Sequence, residues 1–208
     1  MLDMQAGMNS KVDDHWLEAR YPYLRAVVIE GAEAIEHHGW KWWKHQTHDH
    51  AQLQMELIDI WHFILSEILL QADGDQAMAM ELILTCLAEK NDQITFDQAR
   101  FELSTMDLVS KLELLIGISV VRKVELSLFE SIIKDCRMDW SNLYSQYVGK
   151  NVLNFFRQDH GYKQGHYRKI WQGREDNEHL VEILASLNPE DTHFQDKLYA
   201  ALAQRYID

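Results

Sequence analysis

The chain has 208 residues, enough to bury one substantial hydrophobic core. Its 33 acidic residues outnumber its 20 lysines and arginines, which gives a formal net charge of −13. This excess argues against a general nucleic-acid backbone binder, which is usually basic, but it is compatible with an anionic substrate held through a metal ion. No run of about 18 apolar residues occurs, so we expect no membrane-spanning segment.

The cysteines and the N-terminal residues indicate in which cellular compartment the protein is expected. Cys86 and Cys136 are far apart and show no metal-binding spacing, a usage typical of reduced thiols. The first residues contain no basic start followed by an apolar run, so no signal peptide is predicted. We therefore expect a cytoplasmic protein.

Apolar residues recur at helical spacing through most of the chain, and only Pro22 and Pro189 interrupt it. No segment shows a convincing strand period. Residues 11–21 are read as a connector, 92–97 as a turn and 161–177 as an irregular segment. The sequence therefore predicts an all-α protein, with one or two helices over 97–120 interrupted near 105–107. The other predicted helices cover about residues 1–10, 22–38, 75–90, 122–137, 139–159, 178–186 and 194–206. One further helix follows a joint at 46–50 and runs to about residue 71.

Several residues mark the ends and buried faces of these helices. Pro22 suits a first helical turn and Gly39 a helix end, while Thr47 or Asp49 is the expected N-cap of the next helix. The predicted core-facing residues are Leu24, Val27, Val28, Ile35, Leu53, Leu57, Trp61, Ile64, Leu65, Ile68, Leu69, Met78, Leu82, Ile83, Leu87, Val124, Leu128 and Ile132.

Two helices carry acidic residues three positions apart, Glu30 with Glu33 and Glu56 with Asp59. Residues at this spacing share a helix face, so each pair presents two carboxylates together. Mg²⁺ prefers oxygen ligands, and the pairs predict a magnesium site in a helical core. The alternative is a solvated face, which Glu36 would extend. Asp59 fits that alternative poorly because it lies within the apolar stretch L-I-D-I-W.

Two other metal sites are compatible with nearby residues. Glu56, Asp59 and His62 form E-x-x-D-x-x-H, which matches half of a di-iron carboxylate bundle, although no second helix completes it. The doublet His48–Asp49 is of the kind used by histidine–aspartate phosphohydrolases. Its setting, a loop with several other histidines, is more typical of solvent-exposed side chains.

Basic and aromatic residues accompany these acids. Lys41 and Lys44 flank a tryptophan-rich corner and are candidates for contact with phosphate oxygens. On the helix predicted from residue 139, Lys150, Asn154 and Arg157 fall at i, i+4 and i+7, on one face. Arginine binds phosphate through two parallel hydrogen bonds and lysine as a point charge. The alternative is a solvated basic face.

Together these motifs resemble the dimeric, all-α dUTPase family, part of a wider group of helical nucleotide pyrophosphohydrolases. The similar segments follow the family's order and cover most of the chain outside residues 74–140. They are L-D-M-Q-A-G-M-N (2–9), E-G-A-E (30–33), H-G-W-K-W-W-K (38–44), E-L-I-D-I-W-H-F (56–63) and Y-V-G-K-N-V-L-N-F-F-R-Q-D-H-G-Y-K-Q-G-H-Y-R-K-I-W-Q-G-R-E-D-N (147–177).

The resemblance implies a homodimeric enzyme that cleaves dUTP to dUMP and pyrophosphate, and also accepts dUDP. It implies Mg²⁺ as cofactor, with Glu33 orienting and deprotonating the attacking water. The implied metal ligands are Glu30, Glu33, Glu56 and Asp59. The resemblance places Gln5 and Asn9 near the base. Trp43 or Trp42 is the candidate to stack on the base, and His62 and Phe63 are candidates to line its pocket. The candidates for contact with the phosphates are Lys41, Lys44, Lys150, Asn154, Arg157, Tyr162 and Lys163.

The expected architecture is a single domain over residues 1–208. A helical bundle with a four-helix metal-binding core, 1–73 and 140–177, would carry a more variable helical lobe at about 74–139. The motifs leave three other functions open: hydrolysis of a different nucleoside triphosphate, a di-iron bundle, and a nucleotide-binding module without catalysis. For each aromatic residue, ordinary core packing is the alternative to base contact.

Overall fold

The fold was analysed in a computed structural model, which describes residues 1–89, 91–189 and 191–206. The all-α prediction is confirmed: the described residues form ten α-helices. They are α1 (Leu2–Val12), α2 (Trp16–Ala19), α3 (Tyr23–His38), α4 (His50–Gln71), α5 (Gln76–Ala88), α6 (Leu108–Val120), α7 (Leu126–Asp135), α8 (Trp140–Asp159), α9 (Asp176–Ser186) and α10 (Phe194–Arg205). Lys90, the last residue of the helix predicted over 75–90, lies outside the described residues.

Two short hairpins correct the expectation of no strands. Strands β1 (Gln93–Phe96) and β2 (Ala99–Glu102) pair antiparallel, and a 3₁₀ turn, Leu103–Thr105, leads into α6. Strands β3 (Ile170–Trp171) and β4 (Arg174–Glu175) form the second hairpin. The predicted helix over 97–120 is therefore wrong before Leu108.

The chain divides into two compact units. One contains residues 3–16 and 141–208 together with Met1, and is called the terminal unit below. The other contains residues 17–140 together with Leu2, and is called the central unit. No helix among the described residues is long and apolar enough to cross a membrane.

The central unit is built on α4, which packs along α3. The seven predicted core residues of α4, from Leu53 to Leu69, are all buried. Trp61 stacks on Phe129 of α7, with ring centroids 5.2 Å apart. The Asp49 side chain caps α4 by accepting a hydrogen bond from the backbone N–H of Gln52. Asp49 is one of the two predicted N-cap candidates.

The buried face of α3 differs from the prediction. Leu24 and Val27 are buried as expected, but Val28 and Ile35 are only half-buried. Gly31 and Ala34 continue the buried stripe instead. A Cβ at position 31 would lie 2.8 Å from Ile116 Cγ1, so the missing side chain allows α6 to approach closely. Small residues are invisible to a search for large apolar ones.

The buried face of α5 was predicted only in part. Ala79 and Ile83 are buried, whereas Met78 is 50% exposed and Leu82 and Leu87 are half-buried. The helix is apolar around much of its circumference, so spacing alone does not identify its inner side.

The terminal unit is organised around α8, which begins where it was predicted. Phe156 is fully buried among aromatic rings of α10 and of the segment between α8 and α9. Gly149 allows α9 to approach α8, since a Cβ there would lie 2.6 Å from Leu184 Cδ2. A capping box between Glu175 and Glu178 starts α9 two residues before its predicted beginning.

Candidate active site

Three carboxylates converge in the central unit. Oxygen atoms of Glu30 and Glu33 on α3 and of Glu56 on α4 all lie within 4.8 Å of one another. Among the described residues this is the one group of three His, Cys, Asp or Glu side chains close enough to hold a metal ion. The i, i+3 spacing places both α3 acids on the face that meets α4.

The carboxylates of this group disfavour ionisation of Glu30. Burial raises the pKa of Glu30 to about 8, assisted by the negative charges of Asp59, Glu56 and Glu33 and by a hydrogen bond with Glu56. Asp59 is therefore close enough to act on the group, although it is not among the three converging residues. All four predicted ligands thus share one local field.

The exposure of the acidic side chains differs from the sequence-based expectation. Glu56 is the buried acid, with 7% of its surface exposed, whereas Asp59 is half-buried and Glu33 is exposed. His37 Nε2 lies 3.3 Å from a Glu56 oxygen, a contact that the motifs did not predict. Convergence from two helices and burial of Glu56 both disfavour the solvated-face interpretation.

The tryptophan corner between α3 and α4 is exposed. Trp42 is 86% and Trp43 57% exposed, so these rings are not core residues. Their ring centroids lie 4.6 Å apart in an edge-to-face arrangement. Lys41 Nζ lies 2.9 Å from a Glu36 oxygen and 5.4 Å from the Trp40 ring, while Lys44 is exposed.

His62 and His48 make contacts within the local structure. His62 is buried, its Nδ1 lies 2.8 Å from the Ile58 carbonyl oxygen, and Phe63 beside it is half-buried. His48 Nδ1 donates to the His38 carbonyl, while Asp49 caps α4. The His48–Asp49 doublet therefore serves local structure. Among the described residues, the cluster close enough to hold a metal ion contains no histidine, although His37 Nε2 contacts a Glu56 oxygen.

In the terminal unit, buried side chains of α1 and α8 are linked by hydrogen bonds. Gln5 and Asn9 are 4% and 6% exposed, and Gln5 Nε2 donates to Asn9 Oδ1 over 3.0 Å. Tyr147 of α8 donates its hydroxyl to Gln5 Oε1 over 2.9 Å. Burial raises the pKa of Tyr147, so the hydroxyl stays protonated and can donate to the Gln5 oxygen.

The basic face of α8 is not solvated. Lys150 is 1% exposed and donates to Asn177 Oδ1 over 2.9 Å. Arg157 donates from Nε and Nη2 to the two oxygens of Asp176, each over 2.8 Å, and from Nη1 to Asn154 over 3.1 Å. Burial would raise the pKa of Asp176, but the Arg157 guanidinium, the Tyr167 hydroxyl and the charge of Lys150 together hold it below its usual value.

The segment after α8 is more open. Tyr162 is 47% exposed, and the Arg157 guanidinium lies 5.9 Å from the centre of its ring. Lys163 Nζ donates to the Val12 carbonyl over 2.6 Å. Gly161 and Gly165 have φ of +80° and +73°, which lets this segment turn sharply.

A comparison with protein families decides the family of this chain. A family model described as dUTPase matches residues 1–162, well over half of the 208. The chain belongs to the dUTPase family. It is therefore an enzyme that hydrolyses dUTP. A comparison with curated proteins returns no match.

Three residues of this candidate site were not singled out from the sequence. Tyr147, Asp176 and Asn177 hold other candidates in place through hydrogen bonds. Tyr147 was detectable, because it precedes Lys150 and Asn154 at i−3 and i−7 on the same face of α8. Asp176 follows a hairpin that was not predicted, so no sequence pattern placed it beside Arg157.

Proposed function

We propose that this enzyme is a Mg²⁺-dependent dUTP diphosphatase that releases dUMP and pyrophosphate. The observation that carries the metal assignment is the convergence of Glu30, Glu33 and Glu56 within 4.8 Å, combined with family membership. All three donors are carboxylate oxygens, the ligand type that Mg²⁺ prefers. The raised pKa of Glu30 supports the fit, because a divalent cation would offset the crowding of negative charge.

In this proposal Glu30, Glu33, Glu56 and Asp59 hold Mg²⁺. When bound, the ion neutralises charge that develops on the phosphate oxygens. Glu33 takes a second role: it orients the attacking water and accepts its proton. Its exposure suits that role, since an exposed carboxylate can reach both the water and bulk solvent.

The terminal unit supplies substrate contacts in the proposal. Gln5 and Asn9 hydrogen-bond the uracil edge, with the Gln5 amide held by Tyr147. Lys150, Asn154, Arg157, Tyr162 and Lys163 bind the phosphates. Lys41, Trp43, Lys44, His62 and Phe63 of the central unit complete the set, and the exposure of Trp43 leaves its ring available for stacking on a base.

A nucleotide panel tests the substrate. Pyrophosphate release is measured from dUTP, dCTP, dTTP and UTP with Mg²⁺, and phosphate release from dUDP. We expect dUTP to be preferred, and dUDP to be cleaved because its α–β linkage is the same. If another triphosphate is cleaved faster, that nucleotide and not dUTP is the preferred substrate. Binding without turnover would indicate a non-catalytic module. Iron in the purified protein would favour the di-iron bundle.

We propose a cytoplasmic homodimer as the assembly. Met78, Met80 and Leu84 on α5 are 50%, 49% and 59% exposed, an apolar surface consistent with association. Light scattering combined with size exclusion measures the mass, which for a dimer is twice 24.5 kDa. A monomeric mass at micromolar concentration would contradict the assembly and leave the catalytic proposal intact.

A further inference from the structure

One carboxylate in the terminal unit is more deeply buried than any proposed metal ligand. Asp176, the first residue of α9, is 0% exposed. Its Oδ2 accepts hydrogen bonds from Arg157 Nε and from the Tyr167 hydroxyl, each over 2.8 Å, and its Oδ1 accepts from Arg157 Nη2 over 2.8 Å. A fully buried acid requires such pairing, and this two-point contact fixes the plane of the guanidinium.

The fixed guanidinium in turn orients two amides. Arg157 Nη1 donates to Asn154 Oδ1 over 3.1 Å, and Nη2 donates to Asn177 Oδ1 over 3.2 Å. Lys150 donates to the same Asn177 oxygen. Because lysine and arginine have donors but no acceptors, each amide must turn its oxygen toward them and its NH₂ group away. The orientation set at Asp176 is thus transmitted to side chains on both α8 and α9.

Tyr167, the second hydrogen-bond partner of Asp176, connects it to the end of the described chain. The Tyr167 ring stacks on Tyr206 with centroids 5.3 Å apart and planes 9° from parallel. The Tyr206 hydroxyl accepts a hydrogen bond from the Arg168 amide over 3.2 Å. These contacts involve residues beyond 162, where the match to the family model ends. They hold the Tyr167 hydroxyl in place for Asp176.

We propose that Asp176 is a positioning residue for dUTP hydrolysis, which acts through Arg157 without touching the substrate. It holds Arg157, and through Arg157 the amides of Asn154 and Asn177, in the orientation in which they act on the polyphosphate. The inference rests on the proposed function, which assigns Asn154 and Arg157 to the phosphates. Preorganisation of this kind matters because a displacement of about 1 Å can reduce the rate about 100-fold.

A double-mutant cycle tests the inference. Asp176→Asn, Arg157→Gln and the double variant are compared with wild type for kcat and KM on dUTP with Mg²⁺. We expect Asp176→Asn to lower kcat/KM about 10- to 100-fold, with KM raised. Since Asp176 acts through Arg157, the double variant should match Arg157→Gln within about threefold. Losses that multiply, or an unchanged kcat/KM in Asp176→Asn, would overturn the proposal.

Thermal unfolding separates positioning from simple support of the fold. Asp176→Asn leaves a largely buried arginine without its counter-charge, whereas the double variant pairs two neutral side chains. We expect the double variant to regain Tm without regaining activity. Recovery of both together would mean that Asp176 only stabilises the fold. If Asp176→Asn does not fold, Tyr167→Phe, which removes one hydrogen bond to the same carboxylate, should raise KM about threefold, and an unchanged KM contradicts the proposal.

A matched control is present on α8. Asp159 also accepts from one cation and one tyrosine hydroxyl, Lys11 Nζ at 2.7 Å and Tyr199 at 2.9 Å, but these partners are assigned no role in catalysis. Asp159→Asn should keep kcat/KM within about twofold of wild type. A loss equal to that of Asp176→Asn would show that any such ion pair in the unit matters and would overturn the specific role. An inactive wild type would contradict the proposed function itself, before the cycle is measured.

Discussion

At the scale of single residues, acidic side chains meet two opposite surroundings. Glu30 lies among other acids, and burial and like charges raise its pKa to about 8. Glu182 accepts hydrogen bonds from Arg174 and Arg205, which lower its pKa to about 2. The charge of Glu182 is balanced by two arginines of the chain, whereas Glu30 is surrounded by other acids. This contrast distinguishes the proposed metal site from structural ion pairs.

Glu33→Gln tests the proposed general base. The change removes the proton acceptor while keeping the shape of the side chain, so we expect kcat on dUTP to fall about 100-fold or more. Tm should not fall, because Glu33 is exposed. Glu67 on α4 accepts a hydrogen bond from the Gln71 side chain. Glu67→Gln is the control and should keep wild-type kcat. An unchanged kcat in Glu33→Gln would remove Glu33 from this role.

Glu182→Gln tests the ion pairs that join β4, α9 and α10. The folded pKa of Glu182, about 2, lies below its ordinary value of 4.5. Its stabilising effect is therefore complete above about pH 4.5 and is lost as pH falls toward 2. The Tm difference between wild type and Glu182→Gln should be largest near neutral pH and shrink on acidification. A Tm difference that grows as the pH is lowered would contradict the predicted pH dependence. Glu81→Gln, exposed on α5, should leave Tm unchanged throughout.

At the scale of elements, the sequence predicted helices with one strong apolar face and failed where another signal decided the structure. Helix α4 was predicted correctly because its large apolar residues recur with a clear period. The hairpin of β1 and β2 was missed because its turn, Asp97–Gln98, has positive φ at both residues without the usual glycine. The inner face of α3 depends on Gly31, whose role is the absence of a side chain.

Gly149→Val tests the close approach of α8 and α9. The added side chain would meet Leu184, whose nearest atom lies 2.6 Å from the position of a Cβ. Overpacking of this kind should lower the free energy of unfolding by about 1–3 kcal/mol, measured by urea denaturation. Leu184→Ala in the same chain makes room, so the double variant should lose less than the sum of the single losses. Strictly additive losses would mean that the two residues do not compete for space.

At the scale of the whole molecule, the predicted site residues belong to two compact units. The acids Glu30, Glu33, Glu56 and Asp59 all lie in the central unit, and spacing alone was enough to propose them. Gln5, Asn9 and the α8 residues lie in the terminal unit, and only family resemblance connected them to a nucleotide. Their supporting contacts, from Tyr147 and Asp176, join residues 142 and 19 positions apart, a separation that no local pattern reports. The interpretation of residues 1–208 as one domain, with a core and a lobe at about 74–139, stays a prediction.

The most direct test of the central claim is the initial rate of pyrophosphate release from dUTP by enzyme stripped with EDTA, before and after Mg²⁺ is restored. We predict a rate near background without the ion and full recovery on its addition, because the proposed function requires a cation bound by the carboxylate group around Glu56. Glu56→Gln should require more Mg²⁺ for half-maximal recovery. Full activity in EDTA, or no activity after Mg²⁺ is restored, would contradict the account.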